Sequence, residues 1–173
     1  MVATMICGIV LAGVLTANFQ IMRSGVRITQ HAEMSAQIRR ALDQLGRDLK
    51  NASAIKWNSS SDITLTLPTS SGSTTQVTYA WTSATQNFFM VPGADSSVAT
   101  GRILLVTGIP ALADGSAGVV FARRDRDNNA ATTDNATKRV QVIFNAVRKS
   151  ERSADATDTA VSAFFTLRNK PTS

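Results

Sequence analysis

Residues 1–54 read MVATMICGIVLAGVLTANFQIMRSGVRITQHAEMSAQIRRALDQLGRDLKNASA, and the change of character at Arg23 decides how the whole chain is read. No charge precedes Arg23, and Ile6, Ile9, Val10, Leu11, Val14, Leu15, Phe19 and Ile21 place apolar surface on every side of a helix. About 22 residues at about 1.5 Å of rise give roughly 33 Å, the thickness of a bilayer's hydrocarbon core. The stretch 1–22 therefore predicts a membrane or filament-core helix in which Ile6, Ile9, Val10, Val14, Leu15 and Phe19 are the principal apolar contacts. A cleaved secretory signal would carry a basic residue ahead of the apolar run and a small-residue cleavage site after it, and this stretch has no basic residue there.

Beyond Arg23 no proline breaks the helical pattern. Ser35, Ile38, Leu42, Leu45, Leu49 and Ala52 recur at three- and four-residue spacing, with Arg39, Arg40, Asp43, Arg47, Asp48 and Lys50 on the other face. Ile38, Leu42, Leu45 and Leu49 are expected to lie on a sheet. Arg39 with Asp43, and Asp43 with Arg47, are spaced to pair across one helical turn. The prediction is one helix of about 50 residues, with 1–22 in the membrane and 23–54 continuing as an amphipathic helix.

After Ala54 the composition turns to Ser, Thr, Val and Gly. Trp57 to Ser61 reads as a turn-like hinge. Strands are expected over 62–68, 75–81, 88–91, 102–109, 119–123, 138–147 and 160–167, from alternating apolar residues bounded by Gly, Pro, Ser and Asn. A helix followed by about seven short strands defines an α+β fold: a long N-terminal helix packed on an antiparallel β-sheet domain at 55–173. About 150 residues outside the apolar run suffice for one core.

The net charge of +6 divides as +4 over residues 1–60, from seven basic and three acidic residues, and +2 over the remainder, from eleven and nine. So mild an excess argues against a dedicated nucleic-acid surface. The single cysteine, Cys7, lies in the apolar run, so no intramolecular disulfide can form.

Catalytic motifs are absent from the text. His31 stands alone on the helix, and no G-x-S-x-G, H-E-x-x-H or Cys-x-x-Cys occurs. Enzyme is the least favoured class. The one candidate metal loop is Asp125, Asp127, Asn129 and Asp134, whose Asp-x-Asp-x-Asn opening suits calcium, a cation that takes several hard oxygens from a short segment. The pattern then departs: Ala130 stands where such a loop needs Gly, Ala136 where it needs Glu, and Arg123, Arg124 and Arg126 surround the carboxylates. A solvated hairpin loop is expected, with no cofactor.

The opening Met1-Val2-Ala3-Thr4-Met5, the apolar run, and Gln30 to Ala54 with Arg39-Arg40 and Leu45-Gly46-Arg47-Asp48-Leu49 resemble the N-terminal helix of type IV pilins and type II secretion pseudopilins. Among these they are most similar to minor J-type pseudopilins and W-type minor pilins. A last strand running into Leu167-Arg168-Asn169 is similar to the close of many such chains. In the family a basic leader and Phe-Thr-Leu-x-Glu precede Met-Val-Ala; the present residues start at Met-Val-Ala. The resemblance implies a minor subunit of a pilus or secretion pseudopilus, acting in assembly or at the tip, whose partners are other pilin or pseudopilin subunits and the inner membrane. It also implies a single-pass protein with its globular part in the periplasm or on an extracellular filament, although Arg23 and Arg27 alone would put that part in the cytoplasm. Gly8 with Ala12, and Gly13 with Ala17, would allow close helix packing. The alternative is an anchored binding module that grips a ligand such as DNA through Arg123, Arg124, Arg126, Lys138 and Arg139. Neither a specific nucleic acid nor a small-molecule substrate is expected.

Overall fold

A computed structural model describes residues 2–112, 114–147 and 158–169, with helix side chains placed at 11, 13–19 and from 32 onward. Helix α1 spans Val2–Asn51. Eight strands follow: β1 Ala54–Ser59, β2 Asp62–Pro68, β3 Thr74–Thr82, β4 Asn87–Pro92, β5 Ile103–Val106, β6 Val119–Arg124, β7 Arg139–Val147 and β8 Asp158–Thr166. The chain divides into two units, Met1–Ala36 and Gln37–Ser173.

The first unit is helical. Its described side chains at 11 and 13–19 are exposed: Leu11 by 63 %, Val14 and Leu15 by 55 % each, and Phe19 by 63 %. At Gly13 an added methyl would meet nothing within 4 Å.

In the second unit the strands form two sheets, a five-stranded one in the order β1-β2-β3-β4-β5 and a three-stranded one in the order β6-β7-β8, with every pairing antiparallel. Alternation in the strands assigns the faces. Ile63, Tyr79, Met90 and Ile103 form one row across the larger sheet. On the opposite face Thr64 and Thr78 join their hydroxyls at 2.9 Å, and Thr78 donates to the Gly93 carbonyl, so these buried polar groups are satisfied. In the smaller sheet Val119, Phe121, Val140, Val142 and Phe144 are buried. The two sheets meet through aromatic rings: Phe88 of β4 packs edge-on against Phe144 at 5.3 Å and tilted against Phe121 at 6.1 Å. The Phe121 amide also donates to the Ser60 carbonyl at the β1–β2 turn.

Gln37–Asn51 of α1 closes this core because its apolar period matches what must be covered. Ile38, Ala41, Leu45, Leu49 and, just past the helix, Ala52 are buried, while Leu42 is half-buried. Gly46 lets the helix approach β8: a methyl there would stand 2.5 Å from the Phe165 ring. The Tyr79 hydroxyl donates to Asp48, tying β3 to the helix, and burial together with that carboxylate pushes the phenol far above its ordinary pKa.

These observations correct the α+β expectation of a helix half in the membrane and packed on one antiparallel sheet. The strand-bearing unit is a mostly antiparallel β protein with two sheets rather than one, and it includes only Gln37–Asn51 of the helix. Among the described residues no helix is long and apolar enough to cross a membrane. The single-pass inner-membrane anchor, and the description of the chain as a membrane-spanning prepilin-type subunit that depends on it, lose their support accordingly. The side chains of Ile6, Cys7, Ile9, Val10 and His31 lie outside the described residues.

Two boundaries differ as well. Trp57 to Ser61 was expected as a hinge, yet Ala54–Ser59 pairs with β2. The strand expected over 102–109 is confined to Ile103–Val106.

Candidate functional site

The acidic loop serves itself. The Asp125 carboxylate accepts from the amides of Asp127 at 2.9 Å and Asn129 at 2.8 Å, closing the β6–β7 connection as an Asx turn. Asn128 holds φ at 70°, a conformation asparagine tolerates. Asp134 turns away from that cluster: one oxygen meets Arg123 at 3.1 Å and the other accepts from the Trp57 amide at 3.3 Å. Among the described residues no group of His, Cys, Asp and Glu is placed to hold a metal ion. Asp125 and Asp134 thus do separate structural jobs, and Asp127 and Asn129 are exposed beside them.

The five basic residues at 123, 124, 126, 138 and 139 do not form one patch. Alternation sends Arg123 and Arg124 to opposite faces of the smaller sheet. Arg123 lies over the Trp57 ring at 5.5 Å as well as against Asp134, so its charge is spent within the fold. Arg124 pairs in register with Arg139 and donates to the Asn128 carbonyl. Arg126 is exposed in the loop. On the helix, Arg47 donates to Gln44 at 2.6 Å, an arrangement different from the expected pair with Asp43.

A concavity lies elsewhere, between Gln37–Arg47 of α1 and the edge of the larger sheet. This groove of about 600 Å³ has Gln37, Arg40, Gln44 and Arg47 along its helical wall and Met90, Ile103 and Leu104 on its strand wall. The helical residues stand at three- and four-residue spacing and so share one face. Thr107, directly after β5, donates its amide to the Gln37 side chain at 3.2 Å, fixing the end of the strand against the helix. Ile103 is 49 % exposed and Leu104 51 %. Successive residues of a strand point to opposite faces, so this pair leaves the edge uncovered on both. Neither Arg40 nor Arg47 has a carboxylate partner among the described residues.

Reading the sequence missed this groove because its two walls lie about 60 residues apart in the chain. The available signals were the apolar run Ile103-Leu104-Leu105-Val106 and the stripe Gln37, Arg40, Gln44, Arg47. Only the fold brings them together. Comparison of the chain with protein-family models and with the sequences of characterised proteins gives no match.

Proposed function

We propose that the protein is a structural subunit of a filament-type assembly, working through contacts with other subunits rather than through catalysis. The observation that carries this reading is the exposure of Leu11, Val14, Leu15 and Phe19 on α1, apolar side chains at helical spacing within the first unit. Apolar surface left in water costs about 25 cal/mol per Å², and burying it against a partner recovers that free energy. The resemblance of the helix to those of type IV pilins and pseudopilins supports a filament as the kind of assembly, with this chain as a minor member acting in assembly or at a tip. The contacts proposed are helix to protein. A photocrosslinking residue at Leu15 or Phe19 in the full chain, expressed in its own cells, should capture another subunit, and Phe19→Asp should abolish co-purification of that subunit. If Leu15→Asp and Phe19→Asp co-assemble as the unaltered chain does, the reading fails.

A further inference from the structure

We infer that the open edge of β5, with the groove beside it, is a docking site for an extended acidic segment of a partner protein, which adds as a further strand next to Ile103–Val106. The inference stands apart from the filament reading, because the groove lies wholly within the unit Gln37–Ser173.

Three features specify the occupant. The first is the backbone. Among the described residues β5 has one neighbouring strand, β4, so its other edge presents amides and carbonyls to any extended chain. The edges that face the other sheet are occupied: the Trp57 amide of β1 is taken by Asp134, and β6 is engaged by Ser60 through Phe121 and by Ala131 through Arg123. A register shift opposite Phe88 and Phe89 bends β5, and Thr107 is tied to Gln37, which leaves a short window for pairing.

The second feature is apolar. Ile103 and Leu104 expose about half their surface on opposite faces of the edge, so an added strand would cover one with each of two neighbouring side chains. The third is charge. The groove's charged side chains are Arg40 and Arg47, seven residues apart on one helical face and without a carboxylate opposite them. A partner strand meets all three requirements if it carries Asp or Glu on the helix face, their methylenes over Ile103 and their carboxylates at the arginines, and aliphatic residues on the opposite face over Leu104. A basic segment meets two and is repelled by the third.

The test uses a fluorescein-labelled peptide of alternating Val and Glu, eight residues long, titrated with the full-length protein and followed by fluorescence anisotropy. Saturable binding is expected. It should weaken about tenfold or more in Arg40→Glu/Arg47→Glu, the scale on which facing like charges discriminate, and it should vanish for a peptide N-methylated on alternate residues, which cannot donate to a strand edge. Ile103→Asp, at an exposed position beside the arginines, should also weaken it while circular dichroism confirms the unaltered fold. No saturable binding at millimolar protein overturns the inference. So does equal binding of the corresponding Val-Lys peptide, or of the N-methylated peptide. Full displacement of the Val-Glu peptide by a short single-stranded oligonucleotide, with binding retained after N-methylation, would assign the arginines to phosphate instead.

Discussion

Leu15 and Leu45 belong to one helix and meet opposite fates: Leu45 is wholly buried, while Leu15 leaves 55 % of its surface exposed. The same side chain is core in the unit Gln37–Ser173 and surface in the unit Met1–Ala36. Secondary structure does not decide this, because both lie in regular helix. What decides it is whether another element presents a complementary face. At Leu45 two sheets do so; Leu15 is exposed within its own unit. Apolar periodicity therefore marks a surface that needs a partner, and the partner is internal in one region and, in the reading proposed above, another subunit in the other.

The largest expected effect falls on the buried side. Leu45→Ala should destabilise the protein by roughly 2–5 kcal/mol, from lost burial plus the cavity left between helix and sheets. Urea unfolding monitored by far-ultraviolet circular dichroism would measure it. A change below about 1 kcal/mol would mean that the helix end contributes little to the core and that the contrast with Leu15 is overstated.

Gly46 sharpens the contrast through its sign. Glycine inside a helix is ordinarily about 1 kcal/mol worse than alanine, so Gly46→Ala ought to stabilise an uncovered helix. Here the added methyl would stand 2.5 Å from Phe165, and the expected outcome is a net loss of about 1–3 kcal/mol from overpacking. Phe165→Leu in the same chain should return part of it. At Gly13, where a methyl meets nothing within 4 Å, the equivalent Gly13→Ala should leave the urea midpoint of the strand-bearing unit unchanged or raise it. Opposite signs at the two glycines would confirm that only one part of the helix is packed.

How far these features were legible in the sequence follows from the range of the interactions. The alternation in 62–68, 75–81, 119–123 and 138–147 was readable because each strand's two faces see different surroundings over consecutive residues, a local signal. β1 was not readable: Trp57-Asn58-Ser59-Ser60 has turn composition, and it is held extended by long-range partners, the Asp134 carboxylate on the Trp57 amide and the Phe121 ring against the indole. That the strands divide into two sheets was hidden too, since periodicity assigns faces but not neighbours. The basic cluster is different. Its separation into Arg123 on one face and Arg124 on the other follows from strand alternation, but the strand expected over 119–123 stops one residue short of Arg124, where the structure carries β6 on. Of the candidate groove, each wall was visible and their juxtaposition was not.

The link between β3 and the helix should show itself at high pH. The folded state holds the Tyr79 proton well above the ordinary phenolic range, with burial the main cause and Asp48 the second. The unfolded chain gives that proton up near pH ~10. The folded state consequently binds more protons above that pH, so the stability is fully present below about pH 10 and declines as pH rises beyond it. Tyr79 is the only tyrosine, so absorbance at the tyrosinate band should stay flat with rising pH until the protein unfolds, and then change together with the circular dichroism. A phenol that titrates near pH 10 in folded protein would place Tyr79 in water and undo the Asp48 contact.

The smallest expected change in stability is the one that bears most on function. Leu15→Gln and Phe19→Gln replace exposed apolar side chains with polar ones of good or tolerable helix propensity. Substitutions at exposed sites usually move stability by less than about 0.5 kcal/mol, so thermal unfolding of the isolated full-length chain should shift by no more than a degree or two. Association is the readout that should move, because those are the side chains for which an external partner is proposed: sedimentation velocity of the unaltered chain should show higher-order species that both variants reduce. Were the two substitutions instead to cost as much as Leu45→Ala, Leu15 and Phe19 would be core residues of a fold completed within one chain. The difference between the two parts of the helix would then be one of degree, and the case for assembly through α1 would be lost.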